Sequence, residues 1–110
     1  MSLDVGTLAS QMLGAALPIL KKDAQDAKSF ATTEFTKIAQ TIASIAEQLA
    51  GGEINQAQAV LYLNMQKNAS QTVLLSLQGL GLLAVEAAIN AALGVIKTAV
   101  NTALGFALIG

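Results

Sequence analysis

Residues 44–58 read SIAEQLAGGEINQAQ, and the glycine pair at their centre separates two helical patterns. Upstream, apolar residues fall at Ala31, Phe35, Ile38, Ile42, Ile45 and Leu49. Those steps alternate four and three, which places all six on one side of a helix. Ala39, Ala43, Ala46 and Ala50 form a small-residue stripe beside them. Gly51-Gly52 then ends the pattern, because a glycine just past a helix can take the left-handed conformation that closes it. Downstream, Asn55 with Gln58 three residues on reads as a capping box, with Ile54 stapling against Ala59. A connection this short joins antiparallel neighbours, so the spacing predicts an αα-hairpin with its tip at Gly51-Gly52.

Outward from the hairpin the chain remains helical. It reads as a single all-α domain over 1–110, with segments 1–20, 21–50, 53–78 and 80–110. Two breaks set the architecture. Pro18 costs a helix interior about 3 kcal/mol, so the chain kinks or restarts near it. Asp23 and Asp26 are suited to a new helix start, where carboxylates meet the positive end of the dipole. Gly79 and Gly81 each cost roughly 1 kcal/mol relative to Ala. If both sites turn, the result is a four-helix bundle of 3–20, 23–50, 54–78 and 82–109. If both only kink, the chain is one long hairpin of about 70 Å at 1.5 Å per residue. No polar turn residues surround the second site (LSLQGLGLLAV), which favours the kinked hairpin.

The charges are partitioned. Residues 1–20 carry only Asp4, residues 68–110 only Glu86 and Lys97, and the middle of the chain holds the rest. Hydrophobic residues make up 54% of the chain, too many for a disordered segment. With no His, Cys or Arg, the usual imidazole and thiolate chemistry is missing, and no metal site or cofactor is expected. A net charge of −1 offers no field for a phosphate backbone, so nucleic acid is not an expected partner. No secretory signal is read, since Asp4 precedes the apolar run 12–20 and Lys21-Lys22 follows it; the default compartment is the cytoplasm.

The most specific pattern lies at the C-terminal end. Residues 86–96 (EAAINAALGVI) and 97–107 (KTAVNTALGFA) share Ala88/Ala99, Asn90/Asn101, Ala92/Ala103, Leu93/Leu104 and Gly94/Gly105. Eleven residues make almost three turns, so equivalent positions share a face. One thin polar stripe collects Glu86, Asn90, Gly94, Lys97, Asn101 and Gly105. A helix apolar over the remainder is covered by protein or by lipid. The N-terminal stretch, with Val5, Leu8, Met12, Ala16 and Ile19 on one face and Leu13, Leu17 and Leu20 beside it, is brought opposite this helix by the hairpin.

Other patterns explain themselves more simply. Gly79-Leu80-Gly81-Leu82-Leu83-Ala84 matches the GxGxxA of dinucleotide sites but lacks a following acidic residue at ribose distance. Asp23 and Asp26 stand at the i, i+3 spacing of paired carboxylates, but Lys22 is placed to pair with Asp26 and Glu34 with Lys37, so a solvated face explains them. Asn68-Ala69-Ser70 is a chance glycosylation sequon. Asn64 and Asn68 fall near a seam with Leu61, Met65, Thr72 and Leu75, where a buried Asn can fix register. Phe30, Phe35 and Tyr62 read as packing residues.

The expectation is therefore a non-enzymatic helical protein that self-associates as a homo-oligomer, with no small-molecule substrate apparent. Its assembly surface is expected on Val5, Leu8, Met12, Leu13, Leu17, Leu82, Ile89, Leu93, Ile96, Val100, Leu104 and Phe106. The alternative is a membrane-active protein, such as a small toxin, pore former or phage-type lysis accessory, using the same apolar helices.

Overall fold

The computed structural model describes residues 3–21, 27–77 and 79–110, which form four helices and no strand. They are α1 (Val5–Lys21), α2 (Ala27–Ala50), α3 (Gln56–Leu75) and α4 (Leu82–Leu104). Each helix packs on its chain neighbour, and α4 returns to α1 in the most extensive contact of the molecule. The ring closes only loosely between α3 and α4.

The hairpin forms as the glycine pair predicts. Glu53 N–H donates to the Gln48 carbonyl at 2.9 Å and Gly52 N–H to that of Leu49 at 3.2 Å. These are the two bonds of a Schellman motif, with Gly52 at φ +71° in the left-handed position. The capping box is complete: Gln58 N–H donates to Asn55 Oδ1 at 2.8 Å, and Asn55 N–H donates to Gln58 Oε1 at 3.0 Å.

The long kinked rod does not form. The chain turns after α3, and the molecule measures 42 × 21 × 20 Å, the dimensions of a four-helix bundle. Gly79 adopts φ +94° and Gly81 caps α4 in extended conformation. The turn is itself part of the core: Leu80, between the glycines, is buried, and Leu77 packs against the core. Pro18 does not break α1 either. Gly14, whose carbonyl a residue at 18 would normally bond, lies with Pro18 on the exposed face. Water can satisfy the orphaned carbonyl there. The proposed helix start at Asp23 and Asp26, the Lys22–Asp26 pair and the end of α3 at residue 78 involve positions outside the described residues.

One continuous core joins all four helices. Phe35, Ile38, Ile42 and Ile45 of α2 meet Met12 and Leu20 of α1, Leu63 and Leu74 of α3, and Val85, Ile89, Ile96 and Val100 of α4. The α2 seam read from the sequence is buried from Ala31 to Ile45, with Leu49 half-buried at its end. Glu34 does pair with Lys37, at 3.2 Å, but not on a solvated face: its side chain is only 4% exposed. α4 ends at Gly105, φ +79°, and residues 106–110 leave the helix and fold back.

Candidate functional site

The residues expected to form an assembly surface are mostly the chain's own interior. Leu8, Met12, Ile89, Leu93, Ile96 and Val100 are buried. Val5, Leu13, Leu17, Leu104 and Phe106 are half-buried, and only Leu82, 50% exposed, stands in water. The expected meeting of the N-terminal stretch with the C-terminal helix takes place as the α1–α4 contact within one molecule. The alternative four-helix arrangement supplies the cover the hairpin lacked, since α2 and α3 close over the α1–α4 pair.

What faces outward is a different apolar seam. α3 buries Ala59, Leu63, Ser70 and Leu74. Half a turn round the same helix, Leu61, Met65, Asn68, Thr72 and Leu75 follow the four-and-three spacing of a packing seam, and all five are exposed. Leu61 is 55% and Met65 59% exposed. Periodicity finds this seam but cannot say that it faces water, because the helix has an apolar face on each side. Tyr62, also exposed, lies beside it, and Leu82 and Leu83 open α4 on the far side of the link. Phe35 is core as expected, whereas Phe30 is 44% exposed. The only charged residue in α3 is Lys67, so the outer face carries none.

The second surface feature is the cleft where α3 and α4 part. One compartment of about 300 Å³ is lined by Asn64 and Lys67 of α3 and by Asn90, Gly94 and Lys97 of α4, over apolar walls from Leu63 and Leu93. A smaller compartment of about 200 Å³ adjoins it, sharing Lys67 and Asn90 and reaching Glu86, Asn68 and Gln71. The polar stripe of the eleven-residue repeat thus points into a gap, and Asn64 and Asn68 sit at its edge.

The folded-back tail closes one end of the cleft. Asn101 Nδ2 donates to the Ile109 carbonyl at 2.9 Å, and Ile109 N–H donates to Asn101 Oδ1 at 3.0 Å. This two-bond clamp holds Leu108 and Ile109 in buried positions against the cleft wall. In the first repeat block the equivalent Asn90 lines the open compartment instead. The repeat therefore uses the same residue twice for different purposes.

A third groove of about 420 Å³ runs between α2 and α3, lined by amides and hydroxyls including Gln40, Ser44, Gln48 and Gln66 with Lys37. Among the described residues, no group of His, Cys, Asp or Glu gathers in a way that could hold a metal ion. The GxGxxA pattern falls on a helix–helix link preceded by α3 rather than by a strand, the wrong setting for a pyrophosphate. No family model, characterised protein or solved structure matches the chain.

Proposed function

We propose that this chain is a non-enzymatic helical interaction module that self-associates through the outer face of α3. The supporting observation is the outward seam of Leu61, Met65, Asn68, Thr72 and Leu75. It has the spacing of a helix-pairing surface and no counterpart among the described residues. A second copy is the occupant its chemistry favours. The face carries no charge, so like-charge repulsion does not oppose pairing with itself, and a twofold arrangement matches the same patch to itself. A lipid-lying helix would instead flank its apolar face with Lys or Arg.

Sedimentation at micromolar concentration is expected to give a dimer or larger assembly. The double variant Leu61→Lys/Met65→Lys is expected to sediment as a monomer with wild-type helical content. A wild-type protein that remains monomeric at these concentrations overturns the reading.

The membrane alternative draws on one observation. α4, 23 residues long with a mean hydropathy of 1.6 in its most apolar window, is long and apolar enough to cross a bilayer. Leu83 near its start is 83% exposed. Only 39% of that window is buried, but the buried part is the bundle core, so the fold must open for lipid to reach it. Flotation with neutral or anionic vesicles and release of trapped dye would favour this second reading over self-association in water.

A further inference from the structure

From Ile54 to Gly110 the chain has three charged residues, Lys67, Glu86 and Lys97, and all three line the gap between α3 and α4. They do not seal that gap, which is the loosest contact between helices that neighbour each other round the bundle. Among the described residues the one ion pair is Lys37 with Glu34, so no side-chain carboxylate of a described residue lies within 4 Å of Lys67 or Lys97. The larger compartment is lined by Lys67 and Lys97, by Asn64 and Asn90, and by Gly110 at the end of the tail. Its walls are the apolar Leu63 and Leu93, and the clamped tail adds Leu108 and Ile109. Glu86 lies only in the adjoining compartment.

We infer that this compartment is a binding site for a small organic monoanion with an apolar body, a carboxylate of about medium chain length. The carboxylate accepts hydrogen bonds from the Lys67 and Lys97 ammonium groups, with Asn64 or Asn90 donating from the side. Charge-assisted bonds of this kind are the strong ones. The apolar body lies over Leu63 and Leu93 and is removed from water there, as small-molecule sites commonly combine apolar walls with a few placed polar groups. A volume of about 300 Å³ is that of about ten water molecules, which suits an acid the size of octanoate. Two ammonium groups disfavour a cation, and an inorganic anion leaves the apolar walls uncovered. The site is independent of the outer face of α3.

The test titrates octanoate, 1-octanol, octylammonium and inorganic phosphate into the full chain and follows backbone amide shifts. Octanoate is expected to bind saturably, with shifts concentrated on Asn64–Lys67 and Asn90–Lys97. Lys67→Gln and Lys97→Gln are each expected to weaken it by about tenfold, the scale of one charge-assisted bond. Neither lysine is buried, so both variants are expected to melt as the wild type does. Gly94→Leu supplies a second line: a Cβ at Gly94 meets nothing within 4 Å, so a larger side chain fills the compartment without entering the core. This variant is expected to lose octanoate binding while remaining folded. Equal binding of octanol, octylammonium or phosphate overturns the inference, as does octanoate affinity unchanged in the two lysine variants.

Discussion

At the scale of single residues, two side chains do more than their exposure suggests. Asp4 precedes α1 and accepts hydrogen bonds from the Thr7 hydroxyl and from the Thr7 amide, the latter at 3.2 Å. These bonds, the hydroxyl's first, hold its carboxyl below its ordinary value of 3.8. The stability it contributes is present above that ordinary value and lost as the pH falls through the lowered one. Asp4→Asn keeps an N-cap without the titration. Urea midpoints measured across the acid range are expected to show a steeper loss for the wild type than for this variant. Asn101 is the other. Its two bonds to Ile109 are the clamp on the tail, so Asn101→Ala is expected to cost about 1–3 kcal/mol in urea unfolding. Hydrogen exchange at the Ile109 amide is expected to rise with it.

At the scale of elements, the turns carry the architecture, and they differ in how plainly they can be read. Gly51-Gly52 is followed at once by Asn55 and Gln58, so polar turn chemistry announces the hairpin, and the structure builds each predicted bond. Gly52→Ala is expected to cost about 1–2 kcal/mol because an L-residue is strained at φ +71°. Asn55→Ala is expected to cost about 1 kcal/mol through the lost cap. Both are measurable by chemical denaturation of the full chain. The Gly79–Gly81 site leaves turn and kink both open in the sequence for a physical reason: a turn whose central residue, Leu80, serves the core looks like helix interior. Pro18 lies inside α1, three residues before its end at Lys21, and its cost falls on an exposed face. Pro18→Ala restores a backbone bond to Gly14 and is expected to stabilise the fold by about 1–3 kcal/mol, read as a higher melting temperature.

At the scale of the whole molecule, the apolar ends of the chain turned out to complete one bundle. The sequence shows that these faces need covering and that the two ends meet. It does not show that α2 and α3 are near enough to help cover them, because that depends on the turn at Leu80. The cleft was legible only in part: the eleven-residue repeat puts Glu86, Asn90 and Lys97 on one stripe, but nothing in α4 says that Lys67 faces it. Ile96, fully buried, measures the core's contribution, and Ile96→Ala is expected to cost about 2–5 kcal/mol on unfolding. The two-faced character of α3 has a kinetic side as well. A closing chain that docks this helix half a turn round buries Leu61, Met65 and Leu75 in place of Leu63 and Leu74, a misdocked arrangement with much of the same apolar gain. The native choice must be made against that competitor, so the refolding rate should rise when the outer leucine and methionine are replaced by lysine.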